Sequence, residues 1–469
     1  MKTRYKTLAK DTVLFAVSSF LSKLLIFLLL PIFTGILTAE EYGAVDLITN
    51  VVNLIYPLMT LSIAESTLRF TLSKEHNNNE ILTVSLLYVV MGTALIFLCG
   101  IFSGCFGKII DKYWIYFALI FAGYSLHFVI SSFCRASGRL KLFAIQGVFQ
   151  TIVMFLLMVF CLFVLDLREE GYFISLIVSY FSSVVLAVVF GKLGSDLFPI
   201  KFNKTLAIEM TKYSVPLIPS MIAWWVNNSA DKYSIISMVS IGASGVYAVA
   251  HKIPTILTTA SEVFNQAFLI SSINSIRDGD RNFIKVTSRA FFVFNAIVCI
   301  LLIILSECIA KVLFRSSEYY AGWVYIPFLL TAAFFSNMSS FLATIYKTLK
   351  STQLLFVSTC VGAVVNIALN ILFINSLGTI GAAVATMTSF ALVFYIRYVY
   401  SKRLYSMNLL NLKNAITILL IIICTIMMGM NLKNKYLGTI SVLIAIIIMH
   451  GIEMKRLFRI VIHTDKNGD

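Results

Sequence analysis

Long apolar runs separated by short polar connectors make up nearly the whole chain. A membrane-crossing helix needs about 20 consecutive apolar residues. Fourteen runs meet that length, near 12–36, 44–68, 81–102, 113–134, 143–165, 171–190, 213–238, 246–270, 287–310, 324–345, 354–375, 379–399, 414–430 and 435–452. The last two are the shortest. The pattern predicts an all-α polytopic membrane protein with about 14 transmembrane helices. The longest connector, around 191–212, falls between the sixth and seventh runs, where it would join two halves.

Composition agrees with that reading. The 469 residues are 59% hydrophobic and 13% charged, with a mean hydropathy of +0.90. A soluble domain carries roughly 45–50% apolar and about 25% charged residues. A net charge of +15 is compatible with nucleic-acid binding, but the basic residues sit at the edges of the apolar runs. With the N-terminus placed in the cytoplasm, 27 of the 37 Lys and Arg fall on the inner side and 7 on the outer, while Lys23, Lys232 and Lys252 lie within runs. That asymmetry places both termini in the cytoplasm. Trp114 and Trp323 each open a helix on the outer side, as interfacial aromatics do. The first run, Thr12 to Ile36, follows Lys2, Arg4, Lys6 and Lys10; it is too long for a signal-peptide core and reads as a retained helix. The eight cysteines are scattered singly, so neither a disulfide framework nor a metal site is indicated.

The two halves repeat weakly. "ASGRLKLFAI" (Ala136 to Ile145) lies between the fourth and fifth runs, and "TLKSTQLLFV" (Thr348 to Val357) occupies the same place in the second half. "EYGAVDL" (Glu41 to Leu47) likewise matches "ASGVYAV" (Ala243 to Val249). Each pair is an even number of helices apart, so the repeat is parallel, a pseudo-two-fold about the membrane normal, which is one known transporter plan.

Charges inside spans cost about 2.5–3.5 kcal/mol each near the bilayer centre and are usually functional. Here they fall mainly in the first, second, seventh and eighth runs. At 100° per residue, Thr12, Ser19, Lys23 and Thr34 share about 60° of arc, and Asp46, Asn50, Asn53, Pro57 and Thr60 about 80°. Pro216, Ser220, Trp224, Asn227, Asp231 and Ser234 form a third stripe of about 80°, and Tyr247, His251, Thr255, Thr258, Glu262 and Asn265 a fourth. The bland reading of any one Ser or Thr is interhelical hydrogen bonding; four stripes carrying charges predict a polar cavity. Candidate substrate-binding residues are Lys23, Asn50, Asn53, Trp224, Asn227 and Lys252. Asp46, Asp231 and Glu262 are candidate ion-coupling groups, because a cavity-facing carboxylate can titrate. Trp225 reads as packing, and so does His127. Pro57, Pro216, Pro219 and Pro254 break or kink these helices. The Asn227 and Asn337 glycosylation triplets lie inside spans and are discarded.

"YSVPLIPSMIAWWVNNSADKYSI" (Tyr213 to Ile235), "GVYAVAHKIPTI" (Gly245 to Ile256) and "VNIALNILFINSLGTIGAAVAT" (Val365 to Thr386) resemble signature stretches of Wzx-type polysaccharide and oligosaccharide flippases of the MOP superfamily, relatives of MATE exporters and lipid II flippases. The resemblance implies two six-helix bundles, within 1–200 and 201–403, followed by two extra helices and a tail in 404–469. It implies an undecaprenyl-pyrophosphate-linked oligosaccharide as cargo, carried by alternating access across the bacterial cytoplasmic membrane. Polysaccharide polymerase and glycosyltransferases would be partners beside membrane lipids, with no nucleic acid. No cofactor is implied beyond coupling to a proton or sodium gradient. Such relatives commonly carry Asp-Arg where this chain has Asp231-Lys232, and Lys keeps the charge while losing bidentate geometry. The physics fits: Lys23 and Lys252 would neutralise pyrophosphate, and Trp224 would offer a sugar platform. Rival expectations are a MATE-type multidrug exporter, which an acidic wall of Asp46, Asp231 and Glu262 would suit, and a lipid II flippase. A membrane glycosyltransferase or polymerase needs a sizeable extramembrane segment with acidic catalytic groups, which this chain lacks, so a transporter and not an enzyme is expected.

Overall fold

A computed structural model describes residues 23–25, 27–101, 108–262, 264–265, 281–348, 353–405 and 409–466, without the side chains of 281–284, 347–348, 403–405 and 452–466. The described residues hold helices and no strand. The first half comprises α1 (Lys23–Ile36), α2 (Ala39–Met59), α3 (Ile63–Ser73), α4 (Asn78–Ile101), α5 (Lys108–Lys112), α6 (Trp114–Ala136), α7 (Leu140–Phe163), α8 (Arg168–Phe190), α9 (Gly194–Leu197) and α10 (Lys204–Ser214). There follow α11 (Ile218–Met238), α12 (Ile241–Ala250) and α13 (255–262). The rest are α14 (Arg281–Leu313), α15 (Ser317–Tyr320), α16 (Ile326–Thr348), α17 (Gln353–Leu377), α18 (Thr379–Tyr405), α19 (Leu412–Gly429) and α20 (Lys435–Lys466).

Each of the fourteen predicted runs falls on helix, except where residues 12–22 and parts of 246–270 lie outside the described residues. Among the described residues nine helices are long and apolar enough to cross a membrane, or ten if α2 and α3 count as one broken span. α1, α12 and the first half of α20 are shorter apolar helices. Three predicted runs prove to be interrupted. α2 and α3 meet at 57°, where Pro57 removes a helical donor and Leu61 and Ser62 take left-handed backbone, φ +49° and +54°. The seventh run begins in α10 and passes a 3-10 turn, Val215–Leu217, that holds Pro216, before α11. The eighth is broken by turns at 251–254, around Pro254. Proline lacks the N–H that would continue each ladder.

Helix starts are written in the local sequence. Thr38 and Glu41 form a reciprocal capping box at α2, with Glu41 N–H donating to Thr38 Oγ1 at 3.2 Å and Thr38 N–H donating to Glu41 Oε2 at 2.8 Å. Asn203, Ser240 and Asn411 cap α10, α12 and α19.

Two units are distinguished, Met1–Ser229 and Ala230–Asp469, with the division inside α11. In the first, α6 is central, packing on α2, α3, α4, α7 and α8. Gly92 of α4 lies so close to the end of α2 that a Cβ would sit 2.6 Å from the Met59 carbonyl oxygen, the small-residue contact that lets membrane helices approach. On the expected outer side, Arg168 grips Glu41 with two nitrogens, at 2.6 and 3.0 Å. In the second unit, α16 packs on α14, α18 and α19, and α17 pairs with α18. Arg397 of α18 is buried there and donates to Ser339, Ser358 and Thr359, joining α16, α17 and α18. α19 and α20 pack on α14. There Glu307 accepts from Lys435 at 2.5 Å, from Lys311 at 3.0 Å and from the Tyr436 hydroxyl.

Candidate functional site

The structure sorts the predicted polar residues into two centres, one in each unit. In the first unit, Asp46 is buried on α2 and accepts from the side-chain amide of Asn50 one turn on, at 2.9 Å. Asn50 is fully engaged: its Oδ1 accepts from Ser229 Oγ at 3.2 Å, and its carbonyl accepts from the Trp225 indole at 3.0 Å. The i, i+4 spacing of Asp46 and Asn50 puts them on one helix face, and α11 closes over that face. Trp225 is thereby pinned by its N–H, while Trp224, one position earlier, is 65% exposed. Asn53 is also exposed. Asn227 is buried and donates to the Ala223 carbonyl of its own helix, at 2.9 Å. On α1, Lys23 is half-buried, and Thr34 is buried, donating to the Leu30 carbonyl. Thr12 and Ser19, the other members of that stripe, lie outside the described residues. His127 shares a 2.6 Å hydrogen bond with Ser183 and rests against the Tyr180 ring, a packed arrangement in the wall of α6 and α8.

The second centre forms around Asp231, which is 2% exposed. Its Oδ2 accepts from the Tyr247 hydroxyl at 2.6 Å and from the Thr386 hydroxyl at 3.3 Å. Its Oδ1 accepts from the backbone N–H of Lys232 at 2.9 Å. Behind Thr386 stands Asn366, whose amide donates to Thr386 Oγ1 and Ser389 Oγ, both at 3.3 Å. Asn370, one turn along α17, donates to Asn366 Oδ1 at 3.0 Å. The other end of that amide, Asn370 Oδ1, is buried and meets no donor among the described residues. An amide oxygen in that position costs about 1–3 kcal/mol in lost hydrogen bonding. A carboxylate with two hydroxyls is a set of hard oxygen groups, suited to a proton or a hard cation rather than to a soft metal.

Other members of the predicted stripes stand apart. Glu262 is exposed on α13, and Lys252 and His251 are half-buried in the turn before it; none is a hydrogen-bond partner of Asp231. Asn337, dismissed as a glycosylation site, is buried and donates to Asn295 Oδ1 at 3.1 Å. The sequence reading missed Asn366, Asn370, Thr386 and Ser389. Their signal was present: Asn366 and Asn370 recur at i, i+4 in an otherwise apolar run, which is one helix face.

A family model described as "Polysaccharide biosynthesis protein" matches residues 8–270. No curated protein matches the sequence. Among solved structures, the chain is similar to the lipid II flippase MurJ in an inward closed conformation, at 15% identity and a TM-score of 0.68, covering 95% of this chain and 100% of that one. It is also similar to an inward-facing multidrug resistance MATE family transporter of the MOP superfamily, at 12% identity and a TM-score of 0.67, covering 82% of this chain and 94% of that one. The Vibrio cholerae MATE transporter VcmN follows at 15% identity and a TM-score of 0.60, covering 87% of this chain and 99% of that one. These likenesses show the fold: the all-helical arrangement of those proteins, over most of this chain's length.

Proposed function

The chain belongs to the polysaccharide biosynthesis protein family, and from that premise we propose that it is a flippase for undecaprenyl-pyrophosphate-linked oligosaccharide repeat units. It works by alternating access in the bacterial cytoplasmic membrane, with both termini cytoplasmic, and hands its cargo on from glycosyltransferases to a polymerase. The observation that carries the proposal is the conjunction of a polysaccharide-biosynthesis match with a fold that spans the full length of a lipid II flippase. The first supplies the sugar and the second the lipid carrier. Lys23, Asn53, Trp224 and Lys252 contact the cargo head, the lysines through its pyrophosphate; Asn227 adds an amide to the same stripe, and Asn50 holds α2 in place for it.

Transport is coupled to a monovalent cation at Asp231. Proton or sodium binding there draws on the carboxylate and the oxygens of Tyr247 and Thr386, and a carboxylate so deep in a membrane protein is expected to work rather than merely to pack. Asp46 and Glu262 are secondary coupling groups. A multidrug exporter is the rival reading, since MATE transporters share the fold. It is disfavoured because the family model that matches this chain is one of polysaccharide biosynthesis.

The test is reconstitution into liposomes with lipid-linked oligosaccharide labelled in the sugar. Appearance of the label to an external glycosidase under an imposed sodium or proton gradient is expected. Protection of the label throughout, together with efflux of a cationic dye, would replace the flippase by the drug exporter.

A further inference from the structure

The connector joining α8 to α10 carries apolar side chains that its place in the chain does not explain. Connectors between helices are ordinarily polar. Here Phe198, Ile200 and Phe202 are 66%, 72% and 56% exposed, close after Phe190 at 77%. They lie beyond the apolar span that ends at Phe190. The segment is also tied down, so it cannot tuck them away. Asn79 Nδ2 donates to the carbonyls of Ser195 and Phe198, each at 2.9 Å. Asp196 accepts from Asn78 at 3.0 Å and from Arg139 at 2.7 Å. The Lys201 N–H donates to Thr83 Oγ1 at 3.3 Å, and Asn203 donates to Glu80 at 2.8 Å.

Those anchors set the depth of the connector. Asn78, Asn79, Glu80 and Thr83 occupy the first two turns of α4, whose span Asn78–Gly100 is 23 residues long. At 1.5 Å per residue this is about 35 Å against a hydrocarbon core of about 30 Å, so the first turns of α4 stand at the boundary of headgroups and acyl chains. A segment bonded to them lies at the same boundary, where aromatic side chains favour the membrane. Lys192, Lys201 and Lys204 are exposed on the same segment. Asp196 is charge-paired with Arg139, so the three lysines face one remaining carboxylate, Glu80, and the patch stays positive.

We infer that this connector is a lipid-docking surface: Phe198, Ile200 and Phe202 insert among the acyl chains of the adjoining leaflet, and Lys192, Lys201 and Lys204 engage its anionic headgroups. The inference goes beyond the transport reading and rests on it only in naming the leaflet as the cytoplasmic one. Basic residues near an anionic surface contribute about 1 kcal/mol each.

The test places Phe202→Trp and, separately, Ile200→Trp in the full chain, in nanodiscs of phosphatidylcholine with or without phosphatidylglycerol. Emission in excess of the wild-type chain should be blue-shifted, quenched by brominated acyl chains and insensitive to aqueous iodide. Adding phosphatidylglycerol should deepen the quenching, and Lys192→Gln, Lys201→Gln and Lys204→Gln combined should abolish that gain. Excess emission quenched by iodide and untouched by brominated chains overturns the inference and gives the face to water or to a soluble protein partner. Quenching that phosphatidylglycerol leaves unchanged overturns the headgroup assignment. Two tryptophan positions guard against one variant failing to fold. No transport is measured, so failure of the flippase assignment leaves this result standing.

Discussion

Tyr247 donates its phenolic hydroxyl to Asp231 Oδ2 at 2.6 Å, tying α12 to α11 inside the second unit. Both side chains are buried, so the bond is shielded from competing water. Tyr247→Phe removes one donor and leaves the carboxylate with Thr386 and the Lys232 N–H. A lower thermal unfolding midpoint in detergent is expected, corresponding to roughly 1–2 kcal/mol. Gradient dependence of transport should weaken without vanishing, because one of the oxygens proposed to hold the cation is lost while the carboxylate stays. Asp231→Asn keeps the shape of the group and removes its charge, so abundance should hold while transport stops responding to an imposed sodium or proton gradient. An unchanged response in Asp231→Asn would remove Asp231 from coupling.

A second prediction concerns the close approach of α4 to the broken helix. A Cβ at Gly92 would meet the Met59 carbonyl oxygen at 2.6 Å, a backbone atom that cannot swing aside. Gly92→Val should therefore push α4 away from the end of α2 and cost about 1–3 kcal/mol, as overpacked sites do. Thermal unfolding of the purified protein measures it. By contrast, Gly147→Ala, where a Cβ meets nothing within 4 Å, should be neutral.

Topology offers a third. Glu40 and Asn77 are both exposed and flank the broken span of α2 and α3. If that bent pair crosses the membrane once, single cysteines at the two positions react with an impermeant maleimide from opposite sides. Reaction from the same side would make α2 and α3 a re-entrant loop and invert every later helix.

The segments were legible because an apolar run of span length has few alternatives. The breaks were half legible. Pro57, Pro216 and Pro254 mark them, yet nothing local in Leu61 and Ser62 announces left-handed backbone. The site around Asp231 was read from one side only. A charged residue in an apolar run is conspicuous, whereas Asn366, Asn370 and Thr386 look like ordinary interhelical glue until α17 and α18 bring them together. Trp224 and Trp225, adjacent in sequence and alike in chemistry, were told apart by helical phase: Trp225 packs, donating its indole N–H to the Asn50 carbonyl, and Trp224 is exposed.

The last prediction is that Lys23 draws the cargo's pyrophosphate. It is half-buried on α1, thirteen positions before Ile36. At 1.5 Å per residue that is about 20 Å from the outer end of α1, within a core of about 30 Å. A lysine stem at that depth reaches the nearer interface only by snorkelling along the helix. A cation held inside a membrane protein earns its place by meeting an anion, and among the expected cargo's parts the pyrophosphate is the anion. Lys23→Ala should abolish transport at near-normal membrane abundance. Lys23→Arg should retain part of it, because a diffuse dianion answers to charge more than to donor geometry. Wild-type transport by Lys23→Ala at equal expression would exclude the role. Loss of the protein from the membrane, with rescue by Lys23→Met, would instead make Lys23 a packing residue.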